Sequence, residues 1–199
     1  MNQELYALVL SGGHSSRMGT EKRLLNYHGE PQQYHLVHLL ENSCTKVFIS
    51  CTEIQSRDIA ESYKVVVDQK IFADSGPMGG LLSGHKAFPK VSWLVVGCDY
   101  PFVDLAALGQ LVNARAEKYD AVVYQDAEAS QVEPLIGIYE VSCFSKMLRE
   151  FQKGQTSLRL FLNLVRTEFL FPENPDVLQS IDTPEEFERA KRLIGLIKT

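Results

Sequence analysis

The stretch LYALVLSGGHSSRMGTEK, residues 5–22, indicates both the fold and the kind of ligand. It opens with a continuous apolar run at 5–10, the pattern of a strand covered on both faces. Gly12 and Gly13 follow, and without a Cβ they let backbone N–H groups converge on an anion. Arg17 and Lys22 add two cations suited to a triphosphate. The stretch therefore predicts a strand that runs directly into a phosphate-binding loop.

This loop differs from the two common phosphate-binding motifs. Gly13 and Gly19 are six residues apart and Thr20 follows Gly19, so the Walker pattern is absent, and G-x-G-x-x-G is absent as well. The alternative interpretation is a tight strand–helix turn with incidental charges. The combination of the glycine pair with Arg17 and Lys22 favours phosphate binding over that alternative.

Apolar segments of two lengths alternate along the rest of the chain. The short segments predict strands at 5–10, 47–51, 65–67, 93–96, 121–124 and 135–139, and the amphipathic ones predict helices at 34–40, 54–62, 81–88, 105–117, 142–152 and 185–197. Asp104 is expected to cap one helix, and Thr183 with Pro184 to begin another. The alternation predicts an α/β fold in three layers, a mostly parallel sheet with helices on both faces. Ligands of such sheets bind beyond the carboxyl ends of the strands.

Length and composition exclude several classes of protein. With 199 residues and 45% hydrophobic residues, the chain suits a single domain, 1–199. A formal net charge of -5 argues against a nucleic-acid-coating surface. No signal peptide and no bilayer-length apolar run are apparent, so we expect a cytoplasmic protein without a membrane partner. The four cysteines lack metal-ligand spacing and are expected to be buried free thiols.

The run from Leu10 to Lys22, Leu-Ser-Gly-Gly-x-Ser-x-Arg-Met-Gly-x-x-Lys, closely resembles the signature of the molybdenum cofactor guanylyltransferases, which are nucleotidyltransferases with a Rossmann-like fold. Other segments resemble the rest of that pattern in chain order: Asp68 at a strand end, Gly-Pro-x-x-Gly at 76–80, Cys-Asp-x-Pro-Phe at 98–102, Glu-Pro-Leu at 133–135, Ser-Leu-Arg at 157–159 and Asp-Thr-Pro-Glu-Glu at 182–186. The resemblance spans nearly the whole chain.

Three positions depart from the family pattern. Ser11 stands where alanine is usual, which exchanges one small residue for another. Ser50 stands where the family often has an asparagine that contacts the guanosine. Asp182 stands where asparagine is usual, and an acid there changes the local charge.

The resemblance implies transfer of GMP from GTP to molybdenum-bound molybdopterin with release of pyrophosphate. Bringing two anions together calls for cations, and Asp99, at a predicted strand end, is suited to Mg²⁺. The alternative for Asp99 is a turn former before Pro101. The catalytic residues are then expected to be Arg17, Lys22 and Asp99; the nucleotide-binding residues Leu10, Ser11, Gly12, Gly13, Lys22, Ser50, Asp68, Gly79, Gly80 and Asp99; and the acceptor-binding residues Arg159 and Asp182.

Other interpretations remain open from the sequence. Gly79 and Gly80 suit either close approach of a ligand or close helix–sheet packing. A cytidylyltransferase acting on the same pterin usually has Ala-Gly where this chain has Gly12 and Gly13. A sugar-phosphate nucleotidyltransferase is typically a longer chain. A non-catalytic cofactor carrier or a structural partner would not need both Lys22 and Asp99. Expected partners are GTP, molybdopterin and, transiently, the protein that supplies molybdopterin or a molybdoenzyme apoprotein, but no nucleic acid.

Overall fold

The computed structural model describes residues 4–11, 20–73, 75–127 and 130–197. Gly12, Gly13 and Arg17 lie outside the described residues, so their predicted roles remain predictions. Within the described ranges the chain forms these strands: β1 Leu5–Leu10, β2 Val47–Cys51, β3 Val65–Val67, β4 Ser92–Gly97, β5 Ala121–Gln125, β6 Val132–Tyr139 and β7 Thr167–Leu170.

All these strands belong to one sheet in the order β3-β2-β1-β4-β6-β5-β7. β6 pairs antiparallel with both β4 and β5, whereas the remaining pairs are parallel. The predicted mostly parallel α/β sheet is therefore confirmed. Strand order changes direction between β1 and β4, which is where ligands bind in open α/β sheets. The first residues of β6 lie at the edge where its neighbours end.

Helices cover both faces of the sheet. The described helices are α1 Gln32–Leu40, α2 Gly76–Ala87, α3 Leu105–Asn113, α4 Val141–Gln152, α5 Leu158–Leu162 and α6 Pro184–Ile197. The Asp104 carboxylate accepts a hydrogen bond from the Ala107 N–H at 2.8 Å, which confirms the predicted cap of α3. α6 begins at Pro184, and Thr183 Oγ1 accepts from the Glu186 N–H at 3.3 Å, as expected for its start.

The predicted helix at 54–62 is wrong. Only a 3-10 turn, Gln55–Arg57, forms there, and Ile54 is 75% exposed. The Thr52 hydroxyl accepts from the Gln55 N–H at 3.2 Å, and the Gln55 side chain accepts from the Thr52 N–H at 3.0 Å. These local bonds satisfy the backbone in a turn, and Ile59 alone buries an apolar side chain in this segment, so no helical face exists to pack.

Other elements also differ from the sequence prediction. Helix α2 begins at Gly76 rather than at 81, and β6 begins at Val132 rather than at 135. The helix expected at 105–117 ends at Asn113, because the following residues, Ala-Arg-Ala-Glu, provide no further apolar turn for the sheet. β7 was not predicted, since it is a half-buried edge strand with a weak apolar pattern. It pairs in parallel with β5 and completes the sheet at that edge.

The core has a layer on each side of the sheet. Alternate residues of β1 define the sides: Leu5, Ala7 and Val9 pack with α1 and α3, whereas Tyr6, Leu8 and Leu10 pack with α2, α4 and α5. The predicted three-layer arrangement is thus present. The cysteines are free thiols and all but Cys44 are buried, as expected. In the part of the chain that the structure describes, no helix is long and apolar enough to cross a membrane.

A small third cluster attaches α6 to the body of the protein. Leu25 and Tyr27, which follow the first loop, pack with Ile181, Ala190 and Ile194. This contact places the start of α6 beside Lys22, although the two segments are 160 residues apart in sequence.

Candidate active site

Three of the predicted site residues meet at the carboxyl edge of the sheet. Lys22 begins a short 3-10 turn after the first loop, and Asp99 follows β4. The Lys22 Nζ lies 3.8 Å from Asp99 Oδ2 and also forms an ion pair with Asp182, which precedes α6. One ammonium group therefore lies between two carboxylates that come from distant parts of the chain.

Backbone hydrogen bonds hold Asp182 in this position. The Ile181 N–H donates to the Asp99 carbonyl at 2.9 Å, which joins the loop before α6 to the end of β4. The Glu186 carboxylate accepts from the N–H groups of Asp182 at 2.7 Å and Thr183 at 2.9 Å. The Thr183 hydroxyl in turn accepts from the Glu186 N–H, which completes a capping box. These bonds fix the position of the Asp182 backbone.

The electrostatics of this cluster suit a cation. Burial raises the pKa of Asp99, the Lys22 ammonium opposes that rise, and the negative charge of Asp182 adds to it. The charged form of Asp99 is thus costly without cations nearby. The Asp99 side chain remains 22% exposed, so an ion can reach it.

The carboxylates of this cluster are donors of the kind that Mg²⁺ prefers. Among the described residues there is no group of three or more His, Cys, Asp or Glu side chains able to hold a metal. Mg²⁺ is commonly bound by one or two carboxylates together with water and substrate phosphates. Asp99 offers one such carboxylate, and Asp182 offers a second on the other side of the Lys22 ammonium.

On one side of Asp99, the ends of β1, β2 and β3 form a polar face. The Ser11 hydroxyl donates to the Ser50 carbonyl at 2.6 Å, and the Ser50 hydroxyl donates to Asp68 Oδ1 at 2.9 Å. Burial raises the pKa of Asp68, and the hydrogen bond from Ser50 opposes this rise. The predicted nucleotide residues Leu10, Ser11, Ser50 and Asp68 are thus brought together, and Ser50 orients the Asp68 carboxylate.

Gly79 and Gly80 line the back of that face. A Cβ at Gly80 would lie 2.6 Å from Ser50 Oγ and 2.9 Å from Leu10 Cδ2, and a Cβ at Gly79 would lie 2.5 Å from the Phe72 carbonyl oxygen. Real Cβ atoms do not approach other atoms this closely. Close packing of α2 on the sheet accounts for Gly80, and its close approach to the 3-10 turn Lys70–Phe72 accounts for Gly79. Contact of either glycine with a ligand stays a prediction.

A cavity of about 450 Å³ opens on the other side of Asp99, between the end of β4 and the start of β6. Both predicted acceptor residues, Arg159 and Asp182, line it together with Asp99. Its other lining residues are Pro77, Tyr100, Asp126, Gln131, Glu133, Pro134, Leu135, Thr156, Ser157, Leu158, Leu178 and Ser180. Lys22 and Asp99 therefore lie between the polar face and the cavity.

Glu133 is a buried carboxylate of this cavity to which the sequence assigned no role. It is 9% exposed, and Arg159 Nη2 lies 3.6 Å from its Oε2. Burial raises the pKa of Glu133, whereas a hydrogen bond with Tyr100 and the Arg159 charge oppose the rise. The Glu-Pro-Leu segment at 133–135 was the available signal. Its position at the ligand-binding edge follows from the antiparallel direction of β6, which the apolar pattern did not reveal.

Residues 7–168 match the MobA-like NTP transferase domain family. The chain belongs to this family. It is therefore a nucleotidyltransferase, and the cluster of Lys22, Asp99 and Asp182 lies where a sheet of this type binds ligands.

Two curated relatives of this MobA-like chain illustrate the similarity. A molybdenum cofactor guanylyltransferase of Pseudomonas fluorescens is 30% identical over 187 residues, covering 89% of each chain. A molybdenum cofactor biosynthesis bifunctional protein of Synechocystis is 29% identical over 184 residues, covering 92% of this chain and 52% of that one. The chain thus spans about half the length of the bifunctional relative.

Solved structures share the fold at lower identity. Molybdopterin-guanine dinucleotide biosynthesis protein A from Archaeoglobus fulgidus superposes with a TM-score of 0.80 at 19% identity, covering 96% of this chain and 99% of that one. A nucleotidyl transferase from Methanothermobacter gives 0.76 at 16% identity, covering 98% and 99%. These matches establish the MobA-like chain's fold.

Proposed function

We propose that this MobA-like transferase moves GMP from GTP to the phosphate of molybdopterin, with or without bound molybdenum, and releases pyrophosphate. The observation that carries the proposal is the Lys22 ammonium between Asp99 and Asp182, with a polar face on one side and a large cavity on the other. Relatives named molybdenum cofactor guanylyltransferase support the choice of nucleotide and acceptor.

The reaction has a simple balance of bonds. An oxygen of the acceptor phosphate attacks the α-phosphorus of GTP and forms a new P–O bond, while the bond from the α-phosphorus to the bridging oxygen breaks. The electron pair of that bond leaves with pyrophosphate. Both reactants are anions, so the barrier is chiefly electrostatic, and preorganised cations lower it. Lys22 is placed to stabilise the phosphate charge, and Arg17 is its proposed partner.

In this scheme Asp99, at the carboxyl end of β4, would hold Mg²⁺, and Asp182 would supply a second carboxylate beside it. When bound, the metal offsets charge on the phosphate oxygens. Asp99 and Asp182 orient the phosphates between the two halves of the site, and Lys22 exchanges its ion pair with Asp182 for phosphate oxygens as the nucleotide arrives. The loop residues Gly12 and Gly13 supply N–H donors to those phosphates.

The two sides of the site take different substrates. Leu10, Ser11, Ser50, Asp68, Gly79 and Gly80 are assigned to the nucleotide, and Arg159 and Asp182 to the acceptor. The carboxylate of Asp68, oriented by Ser50, is placed to accept hydrogen bonds from the ribose or the base. In this role the protein would act in the cytoplasm, in transient contact with the protein that supplies molybdopterin or with a molybdoenzyme apoprotein.

The test is pyrophosphate release from each of the four nucleoside triphosphates in the presence of Mg²⁺ and molybdopterin. We expect release with GTP. Release with CTP instead would make the protein a cytidylyltransferase on the same scaffold. Binding of nucleotide without release in any mixture would contradict transfer to this acceptor and favour a carrier.

Replacement of the proposed metal ligand gives a sharper result. Asp99→Asn is expected to lower turnover by about 10²-fold or more, because it removes the charge that holds the metal. Asp104→Asn is the matched control, since asparagine caps a helix as well as aspartate does and the residue lies five positions away. Equal turnover in the two variants would remove Asp99 from the reaction.

A further inference from the structure

The cavity beside Asp99 is rich in hydrogen-bond acceptors and has apolar walls. Its carboxylates are Asp99, Asp126, Glu133 and Asp182, and Arg159 is the single cation among the lining residues that the structure describes. Pro134, Leu135, Leu158 and Leu178 contribute apolar surface. A lining of this kind favours a flat ring that carries N–H donors, because apolar walls cover its faces and carboxylate oxygens accept from its edge.

Glu133 is a carboxylate of this lining that several protein groups hold in place. Its side chain is 11% exposed and lies near the start of β6. Tyr100 hydrogen-bonds to it, the Leu135 N–H lies 3.5 Å from its Oε1, and Arg159 lies 3.6 Å from its Oε2. These contacts fix the plane of the carboxylate and offset its charge, so it can accept further hydrogen bonds without moving.

Arg159 is itself held in place by the strand. Its Nε donates to the Val132 carbonyl at 3.0 Å, and the Gln131 amide, with its oxygen towards Arg159, accepts from both terminal nitrogens at 2.8 Å. With these bonds and the Glu133 ion pair, the guanidinium is largely occupied by protein. Arg159 is therefore a positioning residue for Glu133, in addition to the acceptor role that the sequence suggested for it.

We propose that Glu133 recognises the acceptor by receiving two hydrogen bonds from adjacent N–H groups of a planar heterocycle, the 2-amino-4-oxopyrimidine edge that a pterin ring presents. Two parallel N–H···O bonds to one carboxylate combine strength with geometric selection. The proposal deepens the function proposed above and rests on it for the reaction that the acceptor undergoes.

Guanine presents the same edge, so the position of Glu133 in the sheet matters. Ser50 ends β2 and Glu133 begins β6, and the order β2-β1-β4-β6 separates them by three strand spacings, about 14 Å at roughly 4.8 Å each. A nucleotide base near Ser50 and Asp68 cannot also reach Glu133. The cavity is thus on the acceptor side of Asp99.

Fluorescence titration of the intact protein with two free ligands tests this assignment without nucleotide. 6-Hydroxymethylpterin carries the amino group, and 6-hydroxymethyllumazine carries an oxygen at the same ring position. We expect wild-type protein to bind the pterin about tenfold more tightly or better, because the lumazine oxygen faces a carboxylate oxygen. In Glu133→Gln the amide offers one acceptor and one donor, so the preference should shrink to within about twofold or reverse.

Two variants separate this effect from loss of folding or of charge. Glu133→Asp keeps a carboxylate and should keep the direction of the preference. Glu150→Gln removes the same charge on α4, where Glu150 is 21% exposed and pairs with Lys153, and should change neither affinity. Thermal unfolding of each variant reports whether the fold is intact. No pterin binding at millimolar concentration, or an unchanged preference in folded Glu133→Gln, would overturn the proposal.

A parallel titration with GTP and ITP distinguishes pterin from guanine. ITP lacks the 2-amino group, and we expect Glu133→Gln to leave the GTP-to-ITP ratio unchanged. If Glu133→Gln instead loses the preference for GTP over ITP, the cavity binds guanine and the acceptor assignment is overturned. Selection of pterin over lumazine without pyrophosphate release would refute the proposed transfer and leave the recognition by Glu133 intact. Pyrophosphate release without that selection would support the transfer and refute the recognition by Glu133.

Discussion

Single residues at this site are constrained by contact distances that the sequence does not reveal. Gly80 packs against Ser50 and Leu10 with space for a hydrogen only, and Ser50 in turn orients Asp68. The sequence predicted that Gly80 lies near the ligand, because glycine lets the backbone approach it and the Gly-Pro-x-x-Gly segment resembles the family pattern. The packing reason depends on the approach of α2 to β2, which is a tertiary contact.

A pair of glycine substitutions measures this constraint. Gly80→Ala is expected to lower the free energy of unfolding by about 1–3 kcal/mol through overpacking and to raise KM for the nucleotide by displacing Ser50. Gly109→Ala lies within α3, where an added Cβ would meet no other atom within 4 Å, and should instead add about 0.4–1 kcal/mol. Urea unfolding and steady-state kinetics give both quantities, and equal stability of the two variants would refute the packing argument.

At the scale of elements, the start of α6 positions a residue of the candidate site as well as capping the helix. The capping box formed by Thr183 and Glu186 fixes the backbone at Asp182, which pairs with Lys22. The sequence predicted this helix start from Thr-Pro, and the structure confirms it. The ion pair across 160 residues could not be predicted from local pattern, because it depends on α6 packing against Leu25 and Tyr27.

Removal of one member of the box tests the link. Glu186→Ala is expected to cost about 1 kcal/mol of stability and to slow turnover, since the N–H groups of Asp182 and Thr183 lose their acceptor. Glu185→Ala, in the same exposed helical turn, should cost less and leave turnover unchanged. Chemical unfolding and pyrophosphate release report the two effects, and a stability loss without any change in turnover would separate the cap from the site.

The limits of the sequence prediction are also clearest for elements. Buried strands such as β1 and β4 were located because nearly every residue is apolar. The direction of β6 could not be predicted, since an antiparallel strand buried on both faces has the same apolar sequence pattern as a parallel one. The segment 54–62 has helical spacing in its sequence but too few apolar residues to pack on the sheet. Whether such a segment forms a helix depends on its tertiary contacts.

For the whole molecule, the edge of the sheet opposite the site carries its own charged network. Asp120, which precedes β5, is fully buried and accepts from Arg166, Lys146 and Ser142. These bonds join β5, α4 and the segment before β7. Hydrogen bonds from Arg166 first, then from Lys146 and Ser142, hold the pKa of Asp120 far below its usual range.

This network predicts acid sensitivity of the fold. A depressed folded-state pKa contributes stability that is complete above the unfolded value, about 4, and declines as pH falls below it. Asp120→Asn is expected to cost about 3 kcal/mol at pH 7, and its deficit relative to wild type should narrow between about pH 4 and pH 2. Urea unfolding across pH measures this, with Glu61→Gln as an exposed control; a deficit independent of pH would contradict the charge-based account.

The reversed course of β6 has a further implication, for how such an enzyme can diversify. In the proposed assignment the nucleotide lies at the ends of β1, β2 and β3, whereas the acceptor cavity lies at the start of the antiparallel strand β6. On this assignment, we expect changes in the connection before β6 to alter the acceptor side and to leave the nucleotide side unchanged. Acceptor specificity would then change independently of nucleotide binding. Exchanging that connection between relatives is a direct route to new acceptors.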